Sequence, residues 1–370
     1  MDYKIKEYRI RELLVIVESG KIDLSPSYQR NFIWSKKDQS SLIDTILKGY
    51  PLPSLFIYMD NNGNYEVVDG QQRTRTIFKF YSGDIKSSQG TSFREIDSSI
   101  FLEYRVPVIE ISNLQESDSL NEFYVLINKK GKPLNKPEVD KAEFSDHPFL
   151  KIADEALNYQ NFIDLEIFTE ATSKRMNDRA FVEELLAYLQ FGITDKKQGV
   201  EQAYNLPKED IEIFTYLLNT FKSVVDIIYQ AQKDTPLKST RYKQKNDFYT
   251  LFNFAHQVKH VSQEMFNYMY KVLLILNQKD DEGMQFISPS NEDSIALREY
   301  AFNCVSQSNS KKARMARLRF FNNVLLNKNY EDNQILRDIL DYLTRMYGRK
   351  LVDLKDVNEY QLIDISKLPQ

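Results

Sequence analysis

Residues 69–73 read Asp69-Gly70-Gln71-Gln72-Arg73, and they stand where an extended apolar segment ending in Val67-Val68 runs into a helical pattern of Thr74, Ile77, Phe78, Phe80 and Tyr81. A turn that opens a helix gathers backbone N–H groups and the positive end of the helix dipole at one place. That place suits an anion, a phosphate above all. Around it, Arg73 could hold a phosphate through two parallel hydrogen bonds. Gln71 or Gln72 could orient a water for attack, and Asp69 could position that water or bind Mg²⁺. A plain solvated turn accounts for Asp69 as a cap and Gly70 at positive φ, but not for Gln71, Gln72 and Arg73 together.

Other segments carry weaker signals. Tyr28-Gln29-Arg30, flanked by Pro26 and Trp34, reads either as an aromatic-rich surface strand or as a second amide and a second arginine, Gln29 and Arg30, converging on the same ligand. Asn128-Lys129-Lys130-Gly131-Lys132 follows an amphipathic pattern, and its cations fit a helix C-terminus as well as a phosphate contact. Lys311, Lys312, Arg314, Arg317 and Arg319 form a basic run that suits DNA phosphates. Met315, Leu318 and Phe320 interleave with it at core spacing, which favours an ordinary solvated helix face. His256 and His260 lack the intervening Glu of a metalloprotease helix, and Cys304 reads as a small buried apolar residue.

Composition narrows the field. A net charge of −4 argues against a wholly basic nucleic-acid cradle. One cysteine excludes an internal disulfide and a multi-thiolate metal site, and three histidines leave little for zinc. The N-terminal Met1-Asp2-Tyr3-Lys4 opens no signal-peptide apolar core, and no run approaches the roughly 18 apolar residues of a membrane span. These features predict a cytoplasmic protein without a membrane partner.

The elements that must position the motif are legible in outline. Helical spacing marks Ile10, Leu13, Leu14 and Val17, and Ser35 with Asp38 starts a helix whose stripe is Leu42, Ile43, Ile46 and Leu47. Residues 55–58 and 65–68 are strands joined by the Asp60-Asn61-Asn62-Gly63-Asn64 turn. Residues 106–111 form another strand, which Pro107 should keep at a sheet edge. Beyond about residue 137 long helical patterns dominate, over 137–158, 175–191, 207–232, 247–278, 291–305, 310–326 and 331–346, with exposed loops at 233–246 and 279–291. The expected fold class is α+β: a mixed domain over 1–150 and an all-helical domain over 151–370.

Three segments, Pro26-Ser27-Tyr28-Gln29-Arg30 with Trp34, the hairpin into Val68-Asp69-Gly70-Gln71-Gln72-Arg73, and Phe123 through Ile127-Asn128-Lys129-Lys130-Gly131-Lys132-Pro133-Leu134 with Glu138, occur in this order. Together they resemble the ParB/sulfiredoxin-like domain at the N-terminus of GmrSD-type modification-dependent restriction enzymes and SspE-like defence proteins. The resemblance covers residues 5–150 and implies a site that binds and hydrolyses a nucleoside triphosphate, GTP or another ribonucleotide, with Mg²⁺. It carries Asp69, Gly70, Gln71, Gln72 and Arg73 over as that site, with Gln29 and Arg30 as partners. The more distant ParB clamps bear Glu-Asn-x-x-Arg on the next helix. Here Asn128 survives and the arginine does not, so Lys129, Lys130 or Lys132 would substitute. Multidomain relatives end in an HNH nuclease, whereas residues 261–370 contain no histidine.

The expected function is therefore an NTP-hydrolysing sensor of a restriction or antiphage defence system, acting with DNA, through Lys311, Lys312, Arg314 and Arg317, or with a separate nuclease or effector. The alternatives are a non-hydrolysing DNA-binding regulator or adaptor and, more remotely, a ParB-like nuclease.

Overall fold

Two hydrophobic strands that share a tight polar turn must pair, and this hairpin organises the first third of the chain. In the computed structural model, which describes residues 1–26, 28, 32–115, 118–128, 136–169, 172–173 and 176–368, β3 (Leu55–Met59) pairs antiparallel with β4 (Tyr65–Asp69). Asp60 closes the turn by accepting the N–H groups of Asn62 and Asn64, both at 2.8 Å. The fold is α+β. The chain divides into two compact units, Met1–Ser145 with Glu170–Asn177, and Asp146–Thr169 with Asp178–Gln370.

The first unit is built on a five-stranded sheet in the order β1-β5-β3-β4-β2, where β1 is Asp2–Arg9, β2 is Ile22–Asp23 and β5 is Arg105–Ser112. Strand β2 runs parallel to β4, with Asp23 opposite Glu66. Helices α1 (Ile10–Glu18), α2 (Lys36–Leu47), α3 (Gln71–Ser82) and α4 (Ser98–Leu102) cover one face. Their apolar stripes, including Leu13, Ile43, Ile46, Ile77, Phe80 and Phe101, pack with Leu55, Ile57, Val106 and Val108. Ser35 and Asp38 cap α2 reciprocally, as their spacing suggests. The opposite face carries Val68 and Ile111 beneath Tyr28 and α5 (Leu120–Asn128), whose Tyr124 and Phe123 meet them. Helix α6 (Lys136–Glu143) completes the unit.

Strand β5 departs from expectation. It is internal, because β1 pairs along its whole length and takes the edge. Pro107 is tolerated there because its register with β3 begins only at Val108.

The second unit is largely helical: α7 (Pro148–Leu157), α8 (Gln160–Ile163), α9 (Asn177–Phe191), α10 (Lys196–Tyr204), α11 (Ile211–Ala231), α12 (Lys245–Gln257), α13 (Gln263–Leu276), α14 (Ile295–Val305), α15 (Lys311–Leu325) and α16 (Gln334–Tyr347). A hairpin of β6 (Leu354–Val357) and β7 (Tyr360–Ile363) follows. The helical pattern over 137–158 is broken at His147-Pro148, and that over 247–278 at Val258–Ser262, where Ser262 caps α13. The segment 233–246 is not an exposed loop. Leu237 and Tyr242 are fully buried, and Arg241 anchors the segment through Asp247 (2.9 Å) and the Ile287 carbonyl (2.8 Å). Phe286 and Ile287 likewise bury much of 279–291.

Candidate functional site

Strand β4 delivers Asp69, and the chain then turns through Gly70 at φ +104° into the first residue of α3. An added Cβ at Gly70 would collide with the Leu55 side chain, so both conformation and space demand glycine. The first intrahelical bond is Thr74 N–H to Gly70 O at 2.8 Å. The N–H groups of Gln71, Gln72 and Arg73 precede it, the N-cap residue Gly70 has no side chain to cap them, and no acidic residue occupies the first turn.

The motif side chains are firmly engaged. Gln71 Nε2 donates to the Leu24 carbonyl at 2.7 Å. Gln72 Oε1 accepts the N–H groups of Ile33 (2.9 Å) and Trp34 (3.1 Å), and Gln72 Nε2 donates to Gln71 Oε1 at 3.2 Å. Both glutamines are buried. They form a carboxamide bridge between the two ends of the 25–32 loop. Tyr28, within that loop, donates to Glu66 of β4 and lays its ring 5.4 Å from that of Tyr124. Burial raises the Glu66 carboxyl above its usual range, and Asp23 adds to the rise against the Tyr28 hydrogen bond.

Arg73 Nη2 pairs with Asp69 Oδ2 at 2.7 Å, and Nη1 donates to the Pro53 carbonyl. Burial lowers the guanidinium's pKa, and Asp69 opposes that fall. Asp69 is thus an internal counter-ion one helical turn before Arg73, with a third of its side chain still accessible. The sequence reading missed Arg75, Asp23 and Glu66. The usable signals were the spacing of Arg75 four residues beyond Gln71 and the polar position of Glu66 beside Val67 and Val68.

Other expected site residues fare differently. Gln29, Arg30, Lys129 and Lys130 lie outside the described residues, as does Lys132, and Asn128 is described only as the last residue of α5. The basic run on α15 is corrected. Arg314 and Arg317 are buried, and only Lys311, Lys312 and Arg319 of that run face solvent. Arg314 pairs with Glu184, and Arg317 donates to Thr250 Oγ1 (3.1 Å) and the Ser308 carbonyl (2.9 Å). Met315, expected inside, is exposed. His256 Nδ1 lies 3.3 Å from the Tyr188 hydroxyl, and among the described residues no group of three His, Cys, Asp or Glu is arranged to hold a metal ion. Burial beside Asp247 pushes the Cys304 thiol up to about 12, which makes it unreactive. No helix among the described residues is long and apolar enough to cross a membrane.

Residues 13–102 match the family model described as the GmrSD restriction endonuclease N-terminal domain. That span runs from α1 through α4 and contains the whole strand–turn–helix joint. No curated protein and no solved structure matches the chain.

Proposed function

We propose that this chain, whose first unit carries a GmrSD-type N-terminal domain, binds a nucleoside triphosphate at the opening of α3 and hydrolyses it as the sensing step of a restriction-related defence system. The observation that carries the reading is the glycine-opened start of α3: Gly70 stands at positive φ and offers no side-chain cap, and Gln71 and Gln72 tie this start to the backbone of Leu24, Ile33 and Trp34. The phosphates would lie against the N–H groups that precede the Thr74–Gly70 bond. Asp69 would supply one carboxylate to Mg²⁺. That fits a cation commonly held by one or two carboxylates plus substrate phosphates, provided that Asp69 exchanges part of its contact with Arg73. Gln29 and Arg30 would add an amide and a guanidinium to the ligand's contacts. Loss of the γ-phosphate would relax the loop against the helix and pass the signal to DNA or to a separate nuclease or effector.

One observation favours a second reading, nucleotide binding without turnover in a regulator or adaptor. The carboxamides of Gln71 and Gln72 serve the loop, so orientation of an attacking water would fall to other groups. A steady-state phosphate-release assay separates the two. The purified chain is incubated with each of the four ribonucleoside triphosphates and Mg²⁺, with and without DNA, beside Asp69→Asn and Arg73→Ala, and the melting temperature of each variant is recorded. Turnover of one nucleotide that is lost in folded Asp69→Asn supports hydrolysis, and stimulation by DNA supports sensing. Saturable binding without phosphate release moves the conclusion to the regulator. Neither binding nor release removes both readings.

A further inference from the structure

Helix α15 has two sides. Arg314 and Arg317 turn into the core, while Lys312, Met315, Ala316 and Arg319 recur at three- and four-residue intervals along the other side. That outer side borders a groove of about 760 Å³ lying wholly within the second unit. Helix α14 contributes Ile295 and Glu299, and α16 contributes Ile335 and Asp338. The buried rings of Tyr300 and Phe320, 4.6 Å apart, form its floor. Ile295 and Met315 are each more than half exposed, and Phe302, seven residues beyond Ile295 on the same side of α14, is nearly so.

The groove is fixed by the chain itself. Asp338 accepts the Ser294 hydroxyl and the Ala296 N–H (2.9 Å), which pins the start of α14 to α16. Asn333, which caps α16, donates to the Asn323 carbonyl of α15 at 2.6 Å. A surface held in this way costs little further ordering when it is filled.

Its free charges sort by side. Lys312 and Arg319 on α15, and Glu299 on α14, engage no side-chain partner among the described residues, whereas Asp338 already has its donors. Large apolar side chains left at a surface and rimmed by charge mark a docking site. DNA phosphates would satisfy the two cations, but they would meet Glu299 and leave Ile295, Met315 and Ile335 without apolar partners. An amphipathic helix satisfies all of them. Its apolar stripe fills the groove. Carboxylates seven residues apart repeat every 10.5 Å or about that, the same rise that separates Lys312 from Arg319, and a cation on the opposite flank meets Glu299.

We propose that the groove between α14, α15 and α16 docks an amphipathic helix of a separate protein, one with carboxylates two turns apart on the flank that faces Lys312 and Arg319. This interaction stands whether or not a nucleotide binds at α3.

The test selects a displayed library of helical peptides, about 18 residues and roughly 27 Å long, on the full wild-type chain. Enriched peptides are then titrated by fluorescence anisotropy against wild type, Met315→Glu, the pair Lys312→Glu with Arg319→Glu, and the pair Lys312→Gln with Arg319→Gln, each with its melting temperature. All three positions are exposed, so the melting temperatures should hold. If charge reversal lowers one, the glutamine pair reads the same loss without reversal. The expected result is enrichment of apolar stripes flanked by Glu or Asp seven residues apart, with binding weakened by about 10-fold or more in Met315→Glu and in the charge-reversed chain. Replacing those acids by Lys should make the peptides favour the charge-reversed chain over wild type. No enrichment, or enriched peptides that bind every variant alike, overturns the proposal. Self-association of the wild type that is lost in Met315→Glu makes the occupant a second copy and overturns the assignment to a separate protein. Duplex DNA binding that falls on charge reversal but not in Met315→Glu makes the two cations a phosphate contact and overturns it as well.

Discussion

Arg241 and Arg317 in the second unit, and Arg73 and Arg75 in the first, are all guanidiniums withdrawn from water, yet their surroundings differ. Arg241 sits against fully buried Asp247, which also accepts the Tyr300 hydroxyl at 2.9 Å. Arg317 gives Nε to a hydroxyl and Nη1 to two carbonyls, while its Nη2 has no partner among the described residues. Each joins several helices or loops, as befits a charge whose work is to hold a core together. In the first unit Arg73 has one carboxylate and one carbonyl, and Arg75 Nε has no acceptor among the described residues. The contrast teaches that a cation's availability follows from its acceptors and not from how basic its neighbourhood looks along the chain. The run at 311–319 holds the most positive charges of the segments considered, but its two central arginines are interior.

Perturbing each side should sharpen the contrast. The largest effect is expected at Asp247. Asp247→Ala leaves Arg241 buried without its counter-ion and should cost about 3–5 kcal/mol in urea unfolding followed by far-UV circular dichroism. Retention of wild-type stability would mean that the second unit does not depend on this network. Next comes Gly70→Ala, which imposes a side chain at positive φ and against Leu55. A loss of about 2 kcal/mol is expected in unfolding followed by the fluorescence of Trp34, the lone tryptophan, which lies in the first unit.

A pH series gives the third, smaller effect. All three histidines lie in the second unit. Burial lowers the pKa of His147 and His256 below the usual value, so unfolding takes up protons. Their stability contribution is complete above about pH 6.5 and is lost as pH falls below it. Protonation would also deprive the Phe149 N–H of its acceptor, His147 Nδ1, at 3.1 Å. Circular dichroism melts should therefore weaken between pH 7.5 and 5.5 by about 1 kcal/mol, with His147→Gln showing a flatter profile. Equal pH dependence in that variant would exclude His147 as a source.

The smallest effect is expected at Glu66, whose raised carboxyl pKa has the opposite sign. The folded state holds that proton more tightly, so its contribution is present at low pH and is lost as pH rises through the carboxylate range. Glu66→Gln keeps an acceptor for Tyr28 and removes the buried charge. It should raise the Trp34-reported stability at pH 7 by less than about 1 kcal/mol and leave it unchanged near pH 4.

The joint at Asp69–Arg73 was legible because its signals are local: a strand period ends, glycine intervenes and a helical period begins within a few residues. The hairpin turn at Asp60–Asn64 and the cap at Ser35 were legible for the same reason. What stayed hidden depends on partners distant in sequence. Nothing near Arg314 announces Glu184, more than a hundred residues away, and nothing near Gln72 announces Ile33 and Trp34. Strand β1 escaped because most of it is exposed on both faces, so its identity comes from its ladder to β5 rather than from burial.

The carboxamide bridge has a consequence for variation. Because Gln71 and Gln72 grip Leu24 on one side and Ile33 and Trp34 on the other, the intervening segment begins and ends at fixed points on α3. A change at either glutamine therefore acts at two places distant in sequence: it frees the Leu24 carbonyl or the Ile33 and Trp34 N–H groups and weakens the Gln71–Gln72 link between them. The start of α3 thus serves as a clasp that fixes where the chain leaves β2 and where it enters α2.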